Sequence, residues 1–177
     1  TENPWTTVLC FRNMPPLTSI RRVDWLLTLH GSDDGASANL ATEALLAMAL
    51  LPEARLYVDP MLDLDRTMDV GHGLLDTRCN PRPVFHALRC LNTILHVHRA
   101  TWTPLEREEC GIRVLGLRSQ EDMLELFLSD EPFDRVFAGD CLYRLAQGTV
   151  ELDVGRTRIE GPLLIRTQVN SRTAITA

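Results

Sequence analysis

A chain of 177 residues in which 45% of side chains are hydrophobic is long enough to bury one ordinary core or two small ones. Its formal charge of -6, from 24 acidic against 18 basic side chains, argues against a nucleic-acid surface, which needs clustered cations. No apolar run approaches the roughly eighteen residues of a membrane helix, and the N-terminus lacks the basic-then-apolar layout of a secretion signal, so neither a membrane nor export is written in the chain.

Every cation is arginine. A GC-rich genome accounts for the absence of lysine, although guanidinium forks suit carboxylates or phosphates wherever several converge. The cysteines Cys10, Cys79, Cys90, Cys110 and Cys141 form no C-x-x-C pair and are odd in number, which favours reduced thiols, a reducing (cytoplasmic) compartment and no zinc or redox site.

In chain order, Val23 to His30 is an apolar run of β-formers that breaks at Gly31-Ser32-Asp33-Asp34-Gly35, a buried strand with its exit loop. Ala36 to Leu51 carries Leu40, Ala44, Ala47 and Leu51 at helical spacing, with Pro52 just beyond. Arg55 to Val58 reads as a second strand leading into an acidic loop. Asn80-Pro81-Arg82-Pro83 opens a second helix that runs to about His98. Strand, helix, strand, helix in this order predicts parallel strands with helices packed outside them.

Beyond Trp102 the texture changes to short strand-like runs, Ile112 to Leu117, Met123 to Leu128, Thr149 to Val154 and Leu163 to Val169, separated by Gly, Asp, Pro and Ser. Val150, Leu152 and Val154 alternate with Glu151 and Asp153, the period of a sheet with one wet face. The expected fold is therefore α/β followed by all-β. Residues 1–100 form a partial β/α-barrel-like segment, residues 101–177 an antiparallel β-sandwich, and the boundary falls near residues 99–110.

Gly73-Leu74-Leu75-Asp76, then Asn80-Pro81-Arg82-Pro83 and Ala87-Leu88, resembles the last β/α unit of barrel-fold glycoside hydrolases. In xylosidase- and iduronidase-like members a small β-sandwich follows the barrel, and Glu160-Gly161-Pro162-Leu163-Leu164 is similar to its closing strand. The resemblance is good from Arg55 to Leu95 and loose in the tail. It implies carbohydrate as the ligand class. A full barrel takes about 250 residues, so the resemblance also implies either the C-terminal portion of a longer protein, inactive alone, or a shortened fold.

Retaining glycosidases use two carboxyls about 5 Å apart. In the families resembled, the proton-donating Glu follows strand four and the nucleophile Glu follows strand seven. If Val23 to His30 corresponds to strand seven, its end offers His30, Asp33 and Asp34 as catalytic candidates in place of that Glu. The plainer reading of the same residues is a tight turn that caps the following helix.

Asp59, Asp63, Asp65, Asp69 and His72 make the densest acidic cluster, and of these Asp63, Asp65, Asp69 and His72 are the substrate-binding candidates, sugar hydroxyls being natural donors to carboxylates. A calcium loop fails, because the twelfth position counted from Asp63 is Leu74 rather than Glu. Two alternatives remain open. One is a non-catalytic carbohydrate-binding or assembly module; the other is a phosphotransferase, since Asp63-Leu64-Asp65-Arg66-Thr67 resembles the D-x-D-x-T motif of haloacid-dehalogenase-like phosphatases. His86 and Cys90 share a helical face, with His96 and His98 following, but core and helix-end roles account for them, and no metal or cofactor is assigned. A sheet edge left open by absent strands predicts self-association or a missing N-terminal portion.

Overall fold

Asn3 accepts the Thr6 N–H on its Oδ1 at 3.2 Å, and Pro4 follows in the first turn, where no amide is needed. These residues open α1 (Pro4–Asn13) in the computed structural model, which describes residues 3–13, 23–29, 33–51, 53–66, 69–71, 73–98, 100–109, 111–129, 131–152 and 155–169. The side chains of residues 64–66 and 69–71 lie outside that description. Strand β1 (Asp24–Thr28), helix α2 (Asp34–Met48) and strand β2 (Arg55–Asp59) come next. β1 and β2 pair in parallel from Asp24↔Arg55 to Thr28↔Asp59, as the strand-helix-strand order predicts.

The acidic loop is not wholly irregular. It holds a short antiparallel ribbon, β3 (Leu64–Arg66) with β4 (Asp69–Gly71), before α3 (Pro83–Val97). α3 buries Val84, Ala87, Leu91 and Ile94, a single stripe at helical spacing. α2 is different: its alanines Ala38, Ala41, Ala44 and Ala47 are all buried, so α1 and α3 can both approach it closely.

The second half is built on a six-stranded antiparallel sheet in the order β10-β9-β12-β7-β6-β5. Its strands are β5 (Thr103–Glu109), β6 (Ile112–Arg118), β7 (Asp122–Leu128), β9 (Cys141–Arg144), β10 (Thr149–Glu151) and β12 (Leu163–Gln168). A separate ribbon pairs β8 (Phe133–Val136) with β11 (Arg156–Ile159).

Period-two alternation sends the two faces of this sheet into different cores. Leu115, Leu117, Leu124, Leu126 and Leu164 join Trp5, Leu27, Ala41, Leu46, Ala87 and Leu91 in one cluster beneath the helices. Val114, Phe127, Leu142, Leu163 and Ile165 instead meet Phe137 and Ile159 from the ribbon side. Both faces are covered, which is why β6 and β7 read as near-continuous apolar runs.

Over residues 149–152 the alternation has the right period but the opposite orientation, Asp153 and Val154 lying outside the described residues. Val150 and Leu152 are 55% and 76% exposed, whereas Glu151 turns to Arg144, whose Nε donates to Glu151 Oε1 at 2.7 Å. β10 is an edge strand of three residues, too short and too near the rim to bury an apolar face.

A polar network ties the helices to the sheet. Glu43 of α2 is 7% exposed and accepts the Trp5 N–H at 3.3 Å and Arg113 Nη1 at 2.8 Å. Arg113 on β6 also donates to Asn3 Oδ1 at 3.1 Å and to Glu106 Oε1 at 3.0 Å. A charge this deep is tolerable because it is paired and hydrogen-bonded.

Candidate functional site

Parallel strands of an α/β fold deliver side chains to their C-terminal ends, and here those ends are Thr28 on β1 and Asp59 on β2, paired side by side. The Leu29 N–H donates to the Asp59 carbonyl at 2.7 Å and carries the pairing one residue further. The segments that follow both strands converge on one guanidinium.

Arg82 is the residue before α3 begins. Its Nε donates to Asp63 Oδ1 at 3.0 Å, its Nη2 donates to Asp63 Oδ2, and its Nη1 lies 3.4 Å from both carboxylate oxygens of Asp34. Arg82 and Asp63 are largely buried, at 19% and 10% side-chain exposure, while Asp34 is 36% exposed. The hydrogen bond that Arg82 donates to Asp63, followed by the nearby Asp34 charge, holds the guanidinium pKa above its ordinary value despite the opposing effect of burial. A planar fork held bidentate fixes direction as well as charge.

Asp33 takes the capping role. Its backbone is extended and its Oδ1 accepts the N–H groups of Gly35 at 2.8 Å and Ala36 at 3.1 Å, the first turn of α2. Asp63 is similarly committed, since besides Arg82 it accepts the Gly73 N–H at 2.8 Å. An aspartate attacking phosphorus needs lone pairs open to the substrate and should sit at a strand end. Asp63 lies beyond the end of β2, past Pro60, with its carboxylate turned inward to the fork.

The Gly73–Asp76 and Asn80–Pro83 motif proves to be a brace. Leu74 and Leu75 donate N–H groups to the Pro60 and Met61 carbonyls at 3.2 and 2.9 Å, and the Arg82 N–H donates to the Leu74 carbonyl at 3.0 Å. Asp76 gathers the Arg78 N–H, the Asn80 N–H and Asn80 Nδ2 at 2.8, 2.8 and 2.9 Å. The Asn80 side chain, more than any other group, lowers the Asp76 pKa. The turn so closed aims Arg82 back at the strand ends.

Of the catalytic and binding candidates, the structure thus brings Asp34 and Asp63 together through Arg82 and assigns Asp33 to the helix. Asp65 and Asp69 fall on β3 and β4 with their side chains outside the described residues, and His30 and His72 lie outside them altogether. Arg82 was visible in the sequence only as a helix-opening residue; its partners stand 19 and 48 positions away, and no local pattern announces such a pairing. No group of three or more His, Cys, Asp or Glu side chains placed to hold a metal occurs among the described residues, His86 and Cys90 included.

A second polar cluster joins the two halves. Asp122, 7% exposed at the start of β7, is 3.1 Å from His98 Nδ1 and accepts Arg166 Nε at 2.8 Å. An open cleft of about 720 Å³ beside it is lined by His98, Thr101, Arg118, Glu121 and Asp122, with no nucleophile held against the imidazole among the described contacts.

Two solved structures are similar to almost the whole chain. One, described as a glycoside hydrolase, aligns with a TM-score of 0.57 at 14% identity over 94% of this chain and 46% of its own. The other, a glycoside hydrolase family 5 protein from Bacteroides vulgatus ATCC 8482, gives 0.55 at 13% identity over 93% and 44%. The fold is glycoside-hydrolase-like, and the chain spans less than half the length of these two proteins. No protein-family model matches the sequence, and no curated protein does.

Proposed function

We propose that the chain is the C-terminal portion of a carbohydrate-active protein of the glycoside-hydrolase type, xylosidase- or iduronidase-like in its arrangement of parts. Residues 1–100 supply the last β/α units and residues 101–177 the appended β-rich domain. The observation that carries the reading is that Asp34 and Asp63, in the segments that follow two parallel strands, are bridged by Arg82 in a fold of this kind.

Within that arrangement Asp34 is the residue through which sugar chemistry passes. It follows the first of the two strands and keeps about a third of its side chain open to solvent while Arg82 fixes its orientation. A carboxylate so held accepts hydrogen bonds from sugar hydroxyls or attacks an anomeric carbon. The proton donor that a glycosidase also needs comes from a strand outside this sequence. Asp63 acts indirectly by steadying Arg82.

The test uses the polypeptide translated from the whole reading frame, assayed on aryl xylosides, glucosides and iduronides. Hydrolysis that falls at least about a hundredfold in Asp34→Asn, with an unchanged melting temperature, is the expected result. Magnesium-dependent cleavage of an aryl phosphate, lost in Asp63→Asn, together with no glycoside turnover, would replace this reading with phosphoryl transfer. Glycan binding without turnover would leave a binding module.

A further inference from the structure

The parallel pair β1–β2 is uncovered on its inner face. Leu26 and Tyr57 stand opposite each other in the register and are 62% and 47% exposed, although both are large and apolar. Just past β2, Met61 and Leu62 are 62% and 44% exposed. Parallel sheets are ordinarily buried on both faces, and among the described residues β1 and β2 pair only with each other. Among the described residues, then, neither outer edge is paired. The Arg55 N–H donates to the Val23 carbonyl at 2.9 Å and the Leu29 N–H to the Asp59 carbonyl at 2.7 Å. With the regular register between them, the amides of Trp25, Leu27 and Leu29 turn toward β2, and those of Leu26 and Thr28 turn outward.

Helix α1 says what belongs on that edge. It packs against α2, and Trp5 and Val8, both fully buried, share the core under the helices. β1, α2 and β2 make one strand-helix-strand unit, so α1 followed by β1 is the second half of another whose first strand is not among the described elements. Right-handed connection places that strand against β1 on the side away from β2. An open cleft of about 730 Å³ beside β2, lined by apolar residues such as Leu45, Leu56 and Trp102 together with the polar Glu53, Arg55 and Asn92, offers a socket of mixed character on the other flank. More than half of each glycoside hydrolase similar to this chain has no counterpart in it.

We infer that the outer edge of β1 and the Leu26–Tyr57 face are the docking surface for a strand that precedes α1 in the same polypeptide and is the nearest member of a longer parallel β/α array. The inference rests on the reading of the chain as a C-terminal portion and adds which residues receive the rest.

Hydrogen–deuterium exchange on two proteins, the 177-residue chain and the product of the whole reading frame, tests it. The peptide covering residues 23–29 should exchange at least about tenfold more slowly in the longer protein. In that longer protein Leu26→Asp should lower the melting temperature by more than about 4 °C, against less than about 1 °C for Val136→Asp. Val136, 70% exposed on β8, is the control, and this comparison holds even if the short chain folds poorly. Equal exchange, equal small shifts, or a reading frame with only a few residues ahead of Thr1 would overturn the inference. A short chain that dimerises and protects residues 23–29 by itself would assign the surface to a second copy instead. Slowed exchange in a protein that neither binds nor cleaves glycans would sink the functional reading and leave the surface standing.

Discussion

Replacing Gly73 with alanine should destabilise the protein by about 3 kcal/mol, through backbone rather than side-chain crowding. A Cβ at this position would sit 2.5 Å from the Leu62 carbonyl carbon, 2.8 Å from its oxygen and 2.9 Å from its Cα. Ordinary carbon contacts lie near 3.5–4.0 Å, so the two segments must part by roughly 1 Å. All the obstructing atoms are main chain, which has no rotamer to change. The same gap is spanned by the Gly73 N–H to Asp63 Oδ1 and by the Leu74 and Leu75 amides to the Pro60 and Met61 carbonyls. Overpacking costs about 1–3 kcal/mol, and a net hydrogen bond contributes about 1 kcal/mol. At about 2–4 °C per kcal/mol for a chain of this size, the melting temperature should fall by roughly 6–12 °C. Urea unfolding followed by tryptophan fluorescence measures the free energy directly. A Gly73→Ala protein within about 0.5 kcal/mol of the parent would refute the idea that this glycine exists for close approach.

Arg82→Met should cost about 2–4 kcal/mol in urea unfolding, because Asp63 is left largely buried without its cation, and Arg82→Lys should recover only part, since a point charge cannot serve Asp63 bidentate and Asp34 together. Asp33→Ala should lose about 1 kcal/mol of helix capping while Asp33→Ser loses little; a large drop in glycan turnover for Asp33→Ser at unchanged stability would show a chemical role that the geometry does not give it. Glu109, held low chiefly by the Arg135 hydrogen bond, and Asp76, held low chiefly by the Asn80 side chain, are both depressed in the folded state from ordinary values of 4.5 and 3.8. Their contribution is complete above about pH 5 and lost as the pH falls through the folded values, so acid unfolding should begin below about pH 4.5 and be shallower in Asp76→Ala. Cys10 and Cys79 are exposed, whereas burial raises the Cys90 thiol, so iodoacetamide at pH 8 should label the first two well before Cys90.

The parts of the fold that could be read beforehand are those where one local signal dominates. β1 and β2 are short apolar runs ended by turn residues, α2 is nearly pure helix former, and α3 opens on a proline, so their types and order follow from propensity and spacing. β5 was invisible because Thr-Pro-Leu-Glu-Arg-Glu-Glu is charged on successive residues, the composition that guards a sheet edge, and β5 is the edge of its sheet. β8 (Phe-Asp-Arg-Val) and β11 (Arg-Thr-Arg-Ile) were hidden because each is four residues long and half charged, and α1 by a sequence with little contrast between its faces. At the strand ends the sequence supplied the right residue types but not their allotment. Asp33 and Asp34 are adjacent and chemically identical, yet one caps a helix and the other faces a guanidinium 48 residues away. That difference is decided by backbone direction at the loop, which composition does not carry.

The leucines of β6, β7 and β12 that lie under the helices give the two halves of the chain one shared interior. Severing the polypeptide near Ala100 would strip Leu115, Leu117, Leu124, Leu126 and Leu164 of their cover at a single stroke, and the β-rich piece would present a leucine-lined plane to water. Limited proteolysis should accordingly release no stable fragment at that junction, because the segment that carries Asp34 and Asp63 shares its interior with the β-rich half.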